Sequence, residues 1–392
     1  MFKVQTFNKI SPKGLDLLPR DRYEIASEFT NPDAIILRSY KMNDMELPVN
    51  LKAVARAGAG VNNIPVDRCS ERGVVVFNTP GSNANSVKEL VLLGLFLSTR
   101  KVFQGMCWVK SIADKGDEVP KIIEKEKSNF AGPELRGKTL GVIGLGAIGA
   151  MVANDALQLG MNVMGCDPFI SVDSAWKLSS DVQKAHSVDS LISQCDFISI
   201  HTPLNDKTRG MFDKEKFSMM KKGVRILNFA RGGLVNNKDL KAAIDEGIVE
   251  GYVTDFPDEE LVNMDKVLCI PHLGASTPEA EDNSAVMAAE QLRSFLETGN
   301  IKNSVNFPEC SMPFNNATRI LVANKNIPNM VGQISTILAN DNINIDDMLN
   351  RHRDDYAYNI IDVKEEVPDS VIDTLKQIKG VIMVRKITST RE

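Results

Sequence analysis

The stretch Thr139-Leu-Gly-Val-Ile-Gly-Leu-Gly-Ala-Ile-Gly-Ala150 decides the fold of the central part of this chain. An apolar run typical of a buried β-strand leads into a Gly-x-Gly-x-x-Gly spacing, and a helix-forming sequence follows. In this setting Gly144 allows a tight turn, Gly146 lets the backbone approach a diphosphate, and Gly149 lets the helix pack closely on the strand. The stretch therefore predicts a dinucleotide-binding βαβ unit.

An acidic residue after the next predicted strand indicates which dinucleotide is bound. The N–H groups of Ala147 and Ile148 begin the helix, so we expect them to bind the diphosphate. Asp167 follows the predicted strand Asn162–Gly165. A carboxylate at this position accepts hydrogen bonds from the adenosine ribose hydroxyls and repels a 2′-phosphate. The sequence therefore predicts NAD rather than NADP.

Short apolar runs recur on both sides of this motif, with helix-length segments between them. This alternation is typical of parallel sheets covered by helices. The predicted strands are Phe2–Phe7, Ala34–Leu37, Ala53–Arg56, Val74–Phe77, Lys138–Val142, Asn162–Gly165, Phe197–Ile200, Arg225–Asn228, Gly251–Val253 and Val267–Ile270. Two longer helices are predicted at Asn85–Phe103 and Pro278–Glu297, with a polar stretch over 110–136.

The pattern changes after a Pro- and Asn-rich link over 303–316. It predicts a βαββαβ module, the arrangement of a small α/β sandwich, which we expect to be a separate domain. Its predicted elements are Arg319–Ala323, Met330–Asn340, Asp346–Arg351, Tyr356–Val363, Asp369–Ile378 and Val381–Ile387.

Composition bounds the function. A chain of 392 residues exceeds one compact core, and its net charge of -5 argues against nucleic acid as a partner. The six cysteines occur singly, which predicts reduced thiols and no metal site. No signal peptide is expected, and the longest apolar run, Leu90–Leu97, is too short to cross a membrane. These observations predict a cytoplasmic protein.

Two residues that follow predicted strands supply the chemistry of 2-keto acid reduction. Arg231 follows the predicted strand Arg225–Asn228 and can bind a carboxylate through two parallel hydrogen bonds. His272 follows the predicted strand Val267–Ile270 and can donate a proton to the forming alkoxide. A nearby carboxylate would orient the imidazole, and spacing does not choose among Asp255, Asp258, Glu259 and Glu260.

His201 also follows a predicted strand, Phe197–Ile200. Ligands of open α/β sheets bind at the carboxyl ends of the strands, so this histidine is a candidate for contact with the nicotinamide side of the cofactor. A structural histidine that holds its own loop is the alternative.

In combination, the motifs of this chain closely resemble those of the D-isomer-specific 2-hydroxyacid dehydrogenases over nearly its whole length. They are Arg38-Ser39, Arg56-Ala-Gly-Ala-Gly-Val-Asn-Asn63, Asn83-Ala-Asn-Ser-Val-Lys-Glu-Leu90, the glycine loop with Asp167-Pro168, His201-Thr-Pro-Leu204, Asn228-Phe-Ala-Arg-Gly-Gly233 and Pro271-His-Leu-Gly-Ala275.

The resemblance implies three catalytic residues: Arg231 for the substrate carboxylate, His272 as acid/base, and Glu260 to orient His272. The family usually has Asp-Val-Phe-x-x-Glu-Pro. Here Asp255-Phe-Pro-Asp-Glu-Glu-Leu261 lacks the Val and the Pro, so Glu259 stays an alternative to Glu260. The resemblance also implies cofactor contacts from the other motif positions, which are His201, Thr202, Pro203, Ala230, Asp255, His272, Gly274 and Ala275.

The fold class that the resemblance implies is α/β, with two Rossmann-like doubly wound domains and a C-terminal βαββαβ domain that resembles an ACT domain. The substrate-binding domain is expected to be discontinuous, formed by residues 1–100 and 280–305. The NAD-binding domain is expected over 101–279, and the ACT-like regulatory domain over 317–392.

The substrate is expected to be a small 2-hydroxy acid. Arg38 and Arg56, with Ala57 and Gly58, stand where members that act on phosphorylated acids hold the anionic groups of the substrate. A phosphorylated 2-hydroxy acid is therefore expected, with an unphosphorylated acid such as hydroxypyruvate, glycerate or lactate as the alternative. A nucleotide-sensing protein without turnover is a further alternative, against which Arg231 and His272 argue.

The ACT-like module suggests regulation. In serine-sensitive relatives, the positions that correspond to Asn324, Asn326 and Asn344 bind the effector, which makes L-serine a candidate here. Asn324 replaces the usual His, so serine binding is in doubt. Pairing of such modules suggests a homodimer or homotetramer.

Overall fold

The computed structural model of this protein describes residues 1–314 and 318–388. Sixteen strands lie within these ranges and form three sheets. The strands are β1 (Phe2–Phe7), β2 (Tyr23–Ala26), β3 (Ala34–Leu37), β4 (Ala53–Arg56), β5 (Val75–Phe77), β6 (Thr139–Ile143), β7 (Asn162–Cys166), β8 (Gln183–Lys184), β9 (Phe197–Ile200), β10 (Val224–Asn228), β11 (Val249–Thr254), β12 (Val267–Cys269), β13 (Thr318–Lys325), β14 (Ile345–Arg353), β15 (Tyr356–Val363) and β16 (Val381–Thr388).

The same part of the chain contains thirteen α-helices and three short 3-10 helices. The α-helices are α1 (Pro12–Leu15), α2 (Val66–Glu71), α3 (Ala84–Thr99), α4 (Val102–Ser111), α5 (Val119–Glu126), α6 (Ala147–Gln158), α7 (Val172–Lys177), α8 (Val188–Ile192), α9 (Lys214–Met219), α10 (Asn237–Asp245), α11 (Pro278–Thr298), α12 (Met330–Asn340) and α13 (Asp369–Lys376). The 3-10 helices are Ala113–Glu118, Lys127–Phe130 and Leu261–Asn263.

The chain divides into two compact units, and residues 84–277 form one of them. Its sheet has the strand order β12-β11-β10-β9-β6-β7-β8, with all pairs parallel. The chain direction across the sheet reverses between β6 and β9. Because ligands of doubly wound sheets bind at the carboxyl ends of the strands beside this switch point, the order places the cofactor end of the unit there. The predicted doubly wound fold is confirmed.

Residues 1–83 and 278–392 form the other unit, of which the structure describes 1–83, 278–314 and 318–388. Its first sheet, β2-β1-β3-β4-β5, is parallel, and its second, β14-β15-β13-β16, is antiparallel. Helices α12 and α13 cover one face of the antiparallel sheet. The other face shares a core with α11 and the parallel sheet, through Leu321, Tyr358 and Phe295. The predicted βαββαβ arrangement is confirmed, and its antiparallel sheet fits an ACT-like fold.

The prediction of three separate domains stays a prediction, and the structure adds two facts to it. Helix α3, which we expected in the first domain, packs within the unit of residues 84–277. The ACT-like module shares a core with α11 and the parallel sheet of residues 1–83 rather than standing alone. The predicted start of the module at residue 317 and its last four residues, 389–392, lie outside the described residues.

The prediction of one continuous helix over Asn85–Phe103 was wrong, because this stretch contains two helices. Helices α3 and α4 meet at a bend of 68°, where Lys101 leaves the helical region of the backbone. The polar stretch over 110–136 was also richer in structure than predicted, since it holds the end of α4, both 3-10 helices that flank α5, and α5 itself. In the described residues no single helix is long and apolar enough to cross a membrane, although α3 and α4 taken as a bent pair meet that criterion by length and composition.

Candidate active site

The glycine loop after β6 shows why each glycine is required. Gly144 has a φ of +89°, and a Cβ built on it would lie 2.6 Å from the His201 carbonyl oxygen. A Cβ on Gly149 would lie 1.9 Å from the Gly144 carbonyl oxygen. A Cβ on Gly146 would meet no heavy atom within 4 Å. Gly144 and Gly149 therefore serve packing, whereas Gly146 keeps open the space in front of the α6 N-terminus, where a diphosphate fits.

Asp167 lies directly after β7, beside this loop. Its two carboxylate oxygens accept hydrogen bonds of 2.8 Å from the N–H groups of Leu145 and Phe169. Each oxygen retains a second lone pair, and the residue is only partly buried, so the carboxylate can still accept from ribose hydroxyls. Ala147 is exposed and Ile148 is partly buried at the start of α6, as the diphosphate contact requires.

His201 is built into the end of β9. The backbone N–H of His201 donates to the Ile143 carbonyl at 2.7 Å, and its ring Nε2 lies 2.8 Å from the Ser199 hydroxyl. Burial lowers the pKa of His201 to about 4, so the ring is neutral at pH 7. These contacts favour the structural alternative for His201. The next residues, the partly buried Thr202 and the exposed Pro203, stay predicted cofactor contacts.

A buried asparagine at the end of β10 holds the Arg231 loop. The Asn228 amide donates to the Arg231 carbonyl at 2.9 Å and to the Tyr252 hydroxyl at 3.1 Å, and it accepts from the Ala230 N–H at 3.2 Å. Asn228 is 1% exposed, whereas Arg231 is exposed and its guanidinium donates to the Ala230 carbonyl. Asn228 thus fixes the backbone and leaves the cation accessible. In the sequence only its place in the motif Asn228-Phe-Ala-Arg-Gly-Gly233 marks Asn228, because its role depends on contacts with Tyr252 and the Arg231 loop.

Asp255, Arg231 and His272 come together at the carboxyl edge of this sheet. Asp255 follows β11, is 1% exposed and has one carboxylate oxygen without a hydrogen-bond partner. Desolvation raises the pKa of Asp255, while the charges of His272 and Arg231 and the N–H of Gly274 oppose that rise. Both charges therefore act on one buried carboxylate. The His272 ring is exposed and packs against Phe256, with ring centroids 4.6 Å apart.

The structure does not choose between the two candidate glutamates. Glu259 and Glu260 are both exposed, and the described residues show no hydrogen bond or ion pair from either one to His272. Asp258 is engaged elsewhere, since its carboxylate accepts from the N–H of Leu261 and from the Asn237 amide at 2.9 and 2.7 Å. Glu260 as the partner of His272 stays a prediction.

The predicted substrate arginines lie in the unit formed by residues 1–83 and 278–392. Arg38 forms an ion pair of 2.6 Å with Glu281 of α11. The Arg56 guanidinium donates to the Arg38 carbonyl at 3.0 Å and to the Gly60 carbonyl. Ala57 is buried, and Gly58 has a φ of +153° and donates its N–H to the Thr79 hydroxyl at 2.7 Å.

The three predicted regulatory asparagines are not equivalent. Asn324 is fully buried, and its amide donates to the Lys325 carbonyl at 2.7 Å and accepts from the Asn359 amide at 2.8 Å. Asn326 and Asn344 are exposed. Asn324 therefore has both amide atoms engaged within the sheet, which argues against its use by an effector.

Comparisons with known proteins agree with this geometry. Residues 98–274 match the family described as D-isomer specific 2-hydroxyacid dehydrogenase, NAD binding domain. The D-3-phosphoglycerate dehydrogenase of Methanocaldococcus jannaschii is 35% identical over 294 residues, which cover 73% of this chain and 54% of that protein. The enzyme of the same name from Archaeoglobus fulgidus is 36% identical over 340 residues, which cover 80% of this chain and 62% of that protein. The chain thus spans little more than half the length of these relatives.

Solved structures share the fold. Holo D-mandelate dehydrogenase of Rhodotorula graminis aligns with a TM-score of 0.65 and 24% identity, covering 80% of this chain and 99% of that one. The NAD⁺-bound 3-phosphoglycerate dehydrogenase of Entamoeba histolytica aligns with a TM-score of 0.60 and 24% identity, covering 78% and 98%.

Residues 84–277 thus contain a Rossmann domain with open space in front of the α6 N-terminus and the partly buried Asp167 beside the glycine loop. Residues 98–274 carry the NAD-binding domain of the D-isomer specific 2-hydroxyacid dehydrogenase family. NAD is the cofactor of this domain. The open space over Gly146 and the unpartnered oxygen of buried Asp255 fit such a ligand.

Proposed function

We propose that this protein oxidises D-3-phosphoglycerate to 3-phosphohydroxypyruvate with NAD, the first step of L-serine biosynthesis. One observation carries the dehydrogenase chemistry. Arg231 and His272 follow β10 and β12 at the carboxyl edge of the NAD-binding sheet, and the charges of both act on Asp255 between those strands. The names of the curated relatives support the choice of substrate.

Each residue has a distinct task in the oxidation. The exposed Arg231 guanidinium pairs with the substrate carboxylate and fixes C2 in place. His272 accepts the proton of the 2-hydroxyl as the carbonyl forms, and it returns that proton in the reverse direction. The loop at Gly146 and the Asp167 carboxylate would hold NAD, which would supply the acceptor for the hydride of C2. Desolvation raises the pKa of buried Asp255, and the charges of His272 and Arg231 offset only part of that rise.

Arg38 and Arg56 are proposed to hold the phosphate of the substrate. Arg56 is anchored on the Arg38 carbonyl, so both guanidinium groups belong to one loop system at the carboxyl ends of β3 and β4. A phosphate dianion is a stronger partner for Arg38 than the partly exposed Glu281 carboxylate, and it would replace that carboxylate on binding.

A second candidate is a dehydrogenase of an unphosphorylated D-2-hydroxy acid, such as hydroxypyruvate, glycerate or lactate. The observation that favours it is the 2.6 Å ion pair between Arg38 and Glu281, because this pair neutralises Arg38 without any ligand. In that case Arg38 has only a structural task.

The test is the initial rate of NADH oxidation with phosphohydroxypyruvate, hydroxypyruvate and pyruvate. Arg38→Ala should lower kcat/KM for the phosphorylated acid by about 100-fold or more, since it removes a charged hydrogen-bond donor, and leave the other two acids little changed. The matched variant Glu281→Ala frees Arg38 and should retain or improve the preference. Equal rates for the three acids in the wild-type protein would move it to the unphosphorylated class.

We further propose a homodimer or homotetramer in the cytoplasm. The six cysteines carry no disulfide, which suits a reducing compartment. Five of the exposed apolar side chains of α3 and α4 lie three residues apart within their own helix, a pattern that suits contact with a second copy. These side chains are Leu93, Phe96, Phe103, Met106 and Val109. Regulation by L-serine at the ACT-like module would have to rely on Asn326 and Asn344, since Asn324 is engaged internally.

A further inference from the structure

We propose that Phe256 is the positioning residue that holds the His272 imidazole for proton transfer. The two rings pack with centroids 4.6 Å apart and an interplanar angle of 52°. His272 is exposed, and the described residues give it no hydrogen bond to Glu259 or Glu260. The aromatic ring is therefore a side-chain contact that limits how the imidazole turns. This inference deepens the proposed function and rests on it for the role of His272.

Phe256 is itself held from a fixed backbone. Its N–H donates to the Thr254 hydroxyl at 3.1 Å, and this hydroxyl donates to the Asn228 carbonyl at 2.9 Å. Thr254 is fully buried, and Asp255 is 1% exposed, so the chain cannot shift at the residues that precede the ring. A ring attached to such a backbone presents its face at a constant position, which a flexible side chain would not do.

The same side chain also lies beside the Arg231 loop. A Cβ built on Gly232, the residue after Arg231, would lie 3.5 Å from the Phe256 Cβ, an ordinary van der Waals distance. Phe256 thus contacts the histidine that moves the proton and lies next to the loop that carries the carboxylate-binding cation. A shift of the ring would change the distance between these two groups, and misplacement by about 1 Å can cost a factor of about 100 in rate.

The chemistry explains why an aromatic ring suits this position. A flat face in van der Waals contact restrains the imidazole without competing for its nitrogen atoms, which must stay free for the substrate hydroxyl. The electron-rich face also tolerates the positive charge that His272 carries after it accepts the proton. Leucine has a similar volume but no flat face, so it fills the space without fixing the ring.

The test compares Phe256→Leu with Phe256→Tyr, which keeps the ring. Phe130→Leu is the matched control, because Phe130 is another partly buried Phe of the same unit that packs on an aromatic ring, with centroids 5.2 Å from Trp108. Turnover is measured with phosphohydroxypyruvate and NADH, and NADH affinity is measured by fluorescence titration. In the absence of substrate, the rate of His272 modification by diethyl pyrocarbonate is followed by peptide mass spectrometry, with His272→Gln as the blank.

We expect Phe256→Leu to lower kcat by about 10- to 100-fold, with the NADH affinity changed less than about 3-fold. We also expect its His272 to be modified several times faster. Phe256→Tyr should keep kcat and the His272 modification rate close to the wild-type values, and Phe130→Leu should behave as the wild type. If Phe256→Leu does not fold, Phe256→Met replaces it in both assays.

Wild-type values of kcat and of the modification rate in Phe256→Leu would overturn the inference. A different result concerns the proposed function alone: if the wild-type protein reduces no 2-keto acid, that function fails, while the modification rate of His272 still decides whether Phe256 shields and holds the ring.

Discussion

At the scale of single residues, the glycine loop separates packing from ligand binding. Gly149→Ala places a Cβ 1.9 Å from the Gly144 carbonyl oxygen, so α6 must move away from β6. We expect a loss of about 3 kcal/mol or more in the free energy of unfolding. Gly146→Ala meets no atom within 4 Å and has a φ of -69°, so its stability should change by less than about 1 kcal/mol.

For NADH binding, the variant at Gly146 is expected to show the direct effect. Gly146→Ala fills the space that the diphosphate needs and should weaken NADH binding by about 10-fold or more in a folded protein. Thermal unfolding and NADH titration on both variants make the comparison. Normal NADH affinity in Gly146→Ala would show that the diphosphate does not lie over this residue.

His201 gives the protein a predictable dependence of stability on pH. Burial lowers its pKa from 6.5 to about 4, so between these values the unfolded chain binds a proton that the folded chain does not. The stability contributed by neutral His201 is therefore complete above about pH 6.5 and is lost as the pH falls towards 4. At pH 5 this loss amounts to about 2 kcal/mol.

Urea unfolding of the wild type and of His201→Gln at pH 7.5 and pH 5 measures this loss. Gln retains a donor for the Ser199 hydroxyl but does not titrate. The difference in unfolding free energy between the two proteins should shift by about 2 kcal/mol against the wild type at pH 5. A difference that is the same at both pH values would mean that the folded His201 titrates like the unfolded one.

At the scale of elements, the end of β10 is the part of the site that depends most on one buried amide. Asn228→Ala leaves the Arg231 carbonyl, the Ala230 N–H and the Tyr252 hydroxyl without this partner. We expect a loss of about 1 to 3 kcal/mol in stability and a fall of about 100-fold in kcat/KM, because the Arg231 loop is no longer fixed.

The control for this element is Asn237→Ala. Asn237 is a partly buried residue of α10 whose amide donates to Asp258 in a solvent-exposed hydrogen bond. Its loss should cost less than about 0.5 kcal/mol and leave kcat/KM unchanged. Steady-state kinetics and urea unfolding on both variants provide the comparison. An Asn228→Ala protein that is less stable but retains its kcat/KM would show that the Arg231 loop is held by other contacts.

The sequence was sufficient for the elements whose signal is local. The glycine spacing and the strand after it predicted β6, α6, β7 and the position of Asp167, because each depends on neighbouring residues. Placing Arg231 and His272 after strands predicted their common edge, since parallel strands end on the same side of a sheet.

What the sequence could not show depends on contacts between distant segments. The packing of Phe256 on His272 and the burial of Asn324 follow from how strands pair, which no spacing encodes. The partner glutamate of His272 stays open for the same reason. The bend between α3 and α4 escaped the helical periodicity because the apolar pattern runs through it.

At the scale of the whole molecule, the exposed apolar side chains of α3 and α4 predict self-association. Phe103 and Met106 are 55% and 59% exposed, so replacing both with Lys should not disturb the fold, while it introduces charge into the proposed contact. The matched control is the double variant Phe169→Lys with Trp176→Lys, whose side chains lie in the same unit and are 90% and 85% exposed.

Light scattering coupled to size-exclusion chromatography gives the mass of each protein. The wild type and the control should have at least twice the chain mass of 43.2 kDa, whereas the variant at Phe103 and Met106 should approach the mass of one chain. Burial of like charges without partners makes the assembly unfavourable, so the effect should also grow as the salt concentration falls. A wild-type protein with the mass of one chain, or a variant with unchanged mass, would place the apolar surface of α3 and α4 outside any contact between copies.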